Sequence, residues 1–199
     1  MVLRHIAALS LKGIAAMHRD SIPTVHVEDM MASVAGIPIA VDAHLSLDDG
    51  KTGVEGFIEV TDFQINDIIK DYAVRFIPEL EDVGTDARLS LLAACQGDYI
   101  HSTGKLPSFS VVLSIPDAEI RHKAITKALN VGIEAEAYND DHDRISVEIS
   151  KVTARTDGLD LTAKIKADDM LGTDPQFGID ASLKASLDTL ATFQRSILG

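Results

Sequence analysis

Gly158-Leu-Asp-Leu-Thr-Ala-Lys-Ile-Lys-Ala-Asp168, GLDLTAKIKAD, alternates along its whole length. Leu159, Leu161, Ala163, Ile165 and Ala167 fall on one side; Asp160, Thr162, Lys164, Lys166 and Asp168 fall on the other. Successive side chains of a strand point to opposite faces, so the stretch predicts a β-strand with one apolar and one polar face. What the apolar face meets is the question on which fold and function turn.

The same period of two recurs throughout. Ile37, Ile39, Val41, Ala43, Leu45 and Leu47 share a face against Asp42, His44, Ser46 and Asp48. Phe109, Val111, Leu113 and Ile115 are backed by Ser110 and Ser114. Val131, Ile133, Ala135 and Ala137 alternate with Glu134 and Glu136, and Ile145, Val147 and Ile149 with Ser146 and Glu148. Further strands are expected around Leu9–Ala16, Thr24–Met31, Val54–Val60, Ala87–Ala94 and Ile179–Ala185. Asp48-Asp49-Gly50, Asn139 to Asp143 and Thr156-Asp157-Gly158 are hairpin signals, and such short links favour an antiparallel meander.

Helical spacing replaces this pattern twice. After Thr61, Ile65, Ile68, Ile69, Tyr72 and Phe76 predict an amphipathic helix over about 62–77, capped by Thr61 and Gln64 and ended by Pro78. Leu187, Leu190, Phe193 and Ile197 predict a second over about 187–198, with Ser186 as N-cap and Asp188 in its first turn.

The pattern also repeats at long range. An offset of 122 residues places Val27 on Ile149, Met30 on Val152, Gly36 on Gly158 and Ile39 on Leu161. After a small length change, an offset of 125 places Gly53 on Gly178, Val54 on Ile179, Ile58 on Leu183 and Thr61 on Ser186. One β-rich domain over 1–199 is therefore expected, built from two approximate copies at about 5–75 and 128–198. The first copy opens partway through its pattern, so a piece of a longer protein is expected.

Composition narrows the function. Lys and Arg number 18 against 31 Asp and Glu, a net charge of −13 that repels phosphate backbones and anionic membrane surfaces. No basic cluster with interleaved aromatics is present, so no nucleic-acid partner is expected. Aromatic residues are 5% of the chain and Trp is absent, which leaves the interior to Ala, Val, Ile and Leu. Cys95 is the single cysteine, which excludes an internal disulfide framework and reads as a small apolar residue after Ala93 and Ala94. No apolar run approaches the ~20 residues of a spanning helix, and Lys12 and Gly13 interrupt the first one, which reads as a strand.

Reactive chemistry is sparse. Asp140, Asp141, His142 and Asp143 lack the turn glycine and terminal Glu of a calcium loop and read as a solvated hairpin tip. His101 with Ser102 has no organised partner. His26 and Glu28, two apart on a strand, share its polar face, and His122 in Ile120–Lys123 reads as part of a solvated basic turn. No Gly-rich phosphate loop is present. No catalytic residue, metal site or cofactor is expected. Leu159, Leu161 and Ile165 alone would contribute roughly 5–9 kcal/mol on burial. Two short helices cannot cover ten such strands. The fold class expected is mainly β: long twisted antiparallel meander sheets curled into a groove, a flattened barrel or a sandwich, either closed over a core or holding something apolar.

Gly104-Lys-Leu-Pro-Ser-Phe109, with Pro107 before an alternating strand, then the Gly158-Leu-Asp-Leu161 strand, Asp174-Pro175 in a hairpin and the helix start Leu187-Asp-Thr-Leu190 come in one order. Together they resemble the AsmA-like family of envelope proteins as found in Bacteroidetes, over nearly all of residues 24–197. The membrane-anchoring helix with which such proteins begin is not in this chain. The resemblance implies a periplasmic segment, anchored through a part absent here, without catalytic residues. It further implies twisted sheets around an apolar groove, and phospholipid transfer in outer-membrane assembly. Val111, Leu113, Ile133, Ala135, Leu161, Ala163, Ile165, Ile179 and Leu183 are then the lipid-facing candidates. The expected partners are phospholipid acyl chains or, for a structural or interaction module without lipid, other envelope proteins.

Overall fold

The computed structural model describes residues 6–16, 22–34, 36–71, 73–123, 125–139, 144–170, 172–188 and 191. Its strands are β1 (Ile6–Ala16), β2 (Thr24–Val34), β3 (Ile37–Asp48), β4 (Lys51–Gln64), β5 (Val83–Thr85), β6 (Arg88–Ile100), β7 (Ser108–His122), β8 (Ile125–Asn139), β9 (Ile145–Thr156), β10 (Leu159–Asp168) and β11 (Gln176–Ala185). They form one antiparallel meander that runs β1-β2-β3-β4-β6-β7-β8-β9-β10-β11, open at both ends, with β5 added beside the far end of β7. Consecutive strands can lie side by side because nearly every link is short enough for a hairpin.

The sheet is irregular at particular places, and the reason is written in the alternation. Apolar residues of β2 are odd-numbered at Val25 and Val27 and even-numbered from Met30 to Ala32. A one-residue slip of phase would send half the strand's apolar side chains to the polar face, and an extra residue corrects it. The ladder to β3 accordingly shifts between Val27 and Met30, where Asp29 takes a φ of 49°. The same change of phase occurs between Val60 and Phe63 in β4, between Ile115 and Ala118 in β7 and between Ile149 and Val152 in β9, and each is a bulge. In β7 the bulge carries Asp117 to where its carboxylate accepts the Thr153 hydroxyl at 3.3 Å.

The link from β4 to β6 is the long one, and it meets the end of the sheet where most of the described buried apolar residues lie. It contains α1 (Ile65–Asp71), two short 3-10 turns at Ala73–Arg75 and Pro78–Asp82, and β5. The Ile65 amide donates to the Ala87 carbonyl at 3.0 Å, and the Thr85 hydroxyl donates to the Glu119 carbonyl at 2.9 Å. Val60, Phe63, Ala87 and Ala118 are buried at this end of the sheet; Ala167 is the remaining buried apolar residue among those described. Helix α1 packs chiefly on the turns and on β5 of its own link, so it covers little of the sheet.

Where structure and expectation differ, main-chain pairing decides. The helix expected over 62–77 is α1 alone, because Thr61-Asp62 is a bulge and Phe63 and Gln64 stay paired with Leu89 and Arg88. Downstream, the backbone tightens into the 3-10 turn at 73–75, and the ring of Pro78 disfavours a helical Ile77. The second helix begins at Leu187 and Asp188; most of 187–198 lies outside the described residues, as does the hairpin tip at 140–143. His122 is not in a turn but ends β7, paired with Val83 on one side and Ile125 on the other.

Candidate functional site: an apolar face across nine strands

Residues directly opposite in an antiparallel ladder share a face, so the registers trace lines across the sheet. One line reads Met30, Val41, Ile58, Ala93, Val111, Ala137, Val147, Ala167, Phe177 from β2 to β11. Beside it run Val60, Leu91, Leu113, Ala135, Ile149, Ile165, Ile179 and then Ile115, Ile133, Val152, Ala163, Ala181. A further line joins Ala118, Val131, Ala154, Leu161 and Leu183. No polar residue interrupts any of them. All the candidates named from the sequence, from Val111 to Leu183, lie on these lines and therefore on one face.

No second layer covers this face among the described residues. Large apolar side chains on it are exposed, with Ile58 at 45%, Leu183 at 57% and Ile179 at 73%, and among the described residues no large side chain is fully buried. Monomers rarely show contiguous apolar surface beyond a few hundred Å², so a face of this extent marks a binding surface or an interface.

Asn139, buried at the end of β8, donates from Nδ2 to the Pro107 carbonyl at 2.9 Å and accepts the Phe109 amide on Oδ1 at 2.7 Å. Its amide group thus stands in for a ladder bond where Pro107 interrupts the chain. Cys95, half-buried, is on the apolar face between Gly56 and Phe109.

The opposite face is polar. Lys51 pairs with Asp98 at 3.0 Å, Lys151 with Glu134 at 3.3 Å and Lys166 with Asp168 at 3.2 Å. These are solvent-screened pairs worth little individually. The hydrogen bond that the Lys51 ammonium donates to Asp98 holds it above its ordinary pKa, and the Ser146 hydroxyl with Lys166 holds the Asp168 carboxyl below the usual range. An open depression of about 920 Å³ lies on this side, walled by His26, Asp42, His44, Glu55, Phe57 and Tyr138 among others. This depression spans β2 to β8 on the polar face.

The residues considered for chemistry are scattered. His26 Nδ1 lies 3.5 Å from Glu28 Oε1, and its ring stacks on His44 with centroids 5.2 Å apart. That cross-strand pair was not foreseen, because it depends on the β2 bulge that brings His26 opposite His44. His101 is hydrogen-bonded to Thr52 at 3.0 Å in a turn at the sheet's end. Among the described residues no group of three or more His, Cys, Asp or Glu side chains is arranged to hold a metal ion, and no helix is long and apolar enough to cross a membrane. No protein-family model, curated protein or solved structure matches the chain.

Proposed function

We propose that the chain is a non-enzymatic periplasmic segment of an AsmA-like envelope protein, and that its apolar face carries phospholipid acyl chains in outer-membrane assembly. One observation carries this reading: the four lines of residues traced across that face are apolar, one of them over nine paired strands, and among the described residues no second layer covers it. The family resemblance of residues 24–197 supports the cellular setting.

The chemistry suits a hydrocarbon. An acyl chain needs no hydrogen-bond partner and contributes about 0.8 kcal/mol for each methylene buried. A dozen methylenes would supply on the order of 10 kcal/mol before the costs of ordering and association. Alternation of Ala135, Ala137, Ala163 and Ala181 with Ile133, Ile149 and Ile165 gives the surface relief of methyl and sec-butyl groups, with no charge to desolvate.

The single cysteine offers a direct test. An environment-sensitive fluorophore on Cys95 should brighten and shift to the blue when phospholipid is added, and native mass spectrometry of the cell-purified protein should retain phospholipid. A label that is indifferent to lipid, together with lipid-free protein from cells, would overturn the reading in favour of a structural module.

A further inference from the structure

The polar face contains a second feature that lipid handling does not use. Among the apolar doublets that break the alternation are Phe57-Ile58 in β4, Leu91-Leu92 in β6 and Val111-Val112 in β7. One member of each belongs to the apolar face; Phe57, Leu92 and Val112 must then stand on the polar one. The registers bring these strays together. Leu92 is directly opposite Val112, and Phe57 is opposite Ala94, diagonal to Leu92. They are exposed by 41%, 46% and 43%, a small apolar island in a charged surface.

Carboxylates surround it. Asp42 is opposite Phe57, Glu59 opposite Leu92, and Glu136 opposite Val112. Glu136 also faces Glu148 across the next ladder, an unfavourable like-charge pairing. Among the described residues no Lys or Arg forms an ion pair with Asp42, Glu55 or Glu136. Phe57 is shared with the depression of about 920 Å³, so the island opens directly into a recess that Asp42, Glu55 and Glu136 also line.

We infer that this island and its acidic rim dock a cationic amphipathic helix of a partner protein. An apolar stripe on that helix would cover Phe57, Leu92 and Val112, and flanking Lys or Arg would meet Asp42, Glu59 and Glu136. Charge complementarity selects this occupant. A net charge of −13 steers cations toward the chain and turns away anionic lipid and nucleic acid. The inference does not depend on lipid binding by the other face.

The doublets also supply the experiment. A synthetic Lys/Leu amphipathic helical peptide is titrated onto the full chain, beside a scrambled peptide of equal composition. A photo-crosslinking residue is placed at position 112 or at its neighbour 111, which points to the opposite face. The expected result is salt-sensitive binding of the amphipathic peptide alone, with crosslinking from 112 and not from 111. Leu92→Ser with Val112→Thr should weaken it at least about tenfold, and Glu59→Gln with Glu136→Gln should flatten its salt dependence. Crosslinking from 111 alone, or equal binding of the scrambled peptide, overturns the inference. So does self-association of the chain that Leu92→Ser abolishes, which would make a second copy the occupant.

Discussion

The triplets β2-β3-β4 and β9-β10-β11 share a bulge and a hairpin glycine at the same spacing, and they differ in what lies beside them. The bulge at Val27/Met30 recurs at Ile149/Val152, and the hairpin glycines Gly36 and Gly158 have φ values of 83° and 79°. Such coincidence of backbone detail at an offset of 122 residues supports the proposal that the triplets are copies of one unit. Their third strands part company. β4 is paired on both sides, by β3 and β6, whereas among the described residues β11 is paired by β10 alone. Val54 is half-buried; its counterpart Ile179 is 73% exposed. Equivalent sequence patterns thus reach very different degrees of burial, because burial comes from the neighbour and not from the strand itself.

The hardest test of that contrast is Gly56, whose counterpart in β11 is Ala181. A Cβ at Gly56 would collide with the Asp42 carbonyl oxygen and lie 2.8 Å from the Ala43 Cα, both backbone atoms of β3. Gly56→Ala should cost about 2–3 kcal/mol in denaturant unfolding, while Ala181→Gly should cost about 0.5–1 kcal/mol. Equal effects would break the comparison. Val54→Asp should follow, at roughly 2 kcal/mol, against less than about 0.5 kcal/mol for Ile179→Asp on the open edge. Gly36→Ala and Gly158→Ala should each lose about 1–2 kcal/mol, since an L side chain is disfavoured at positive φ. If the copies are equivalent, the two losses agree within experimental error.

The smallest expected effect concerns pH. Asp168 corresponds to Ser46, which does not titrate in this range. With its carboxyl held below the usual range by Ser146 and Lys166, Asp168 favours the folded state when ionised. That contribution is complete above the ordinary carboxylate pKa of about 4 and disappears as the pH falls through the lowered value. Asp168→Asn should slightly flatten the acid limb of the stability profile and leave the neutral region alone. Ser46→Asp is the converse substitution in the other copy.

The two faces and the meander were legible in the sequence because period-two alternation encodes both directly. The bulges are present too, as changes between odd and even apolar positions in β2, β4, β7 and β9, visible only when a strand is followed through both phases. Lateral relations were not legible. Which residue stands opposite Leu92 or His26 depends on hairpin length plus every bulge between, so the apolar island and the stacked histidines emerge only from the completed ladder. β5 escaped notice for a different reason. Val83-Gly-Thr85 has too few residues for any periodicity, and it is a strand only because β7 offers it an edge. Ile65 to Phe76 kept helical spacing, yet Phe76 is 85% exposed, so its spacing reflected no buried stripe.

The difference between the two hairpins that lead into β4 and β11 has a bearing on how such a chain can change in length. The Asp48–Lys51 link closes with two residues between paired ends, whereas Asp168 and Gln176 are separated by a longer loop, and the register there has slid by two positions relative to the other copy. A slide of two leaves every methyl group on the side it occupied before. An insertion or deletion of one residue inside a strand would instead invert all that follows, unless a new kink absorbed it. Mutational drift in this architecture should accordingly tolerate even steps and loop growth, and purge odd ones.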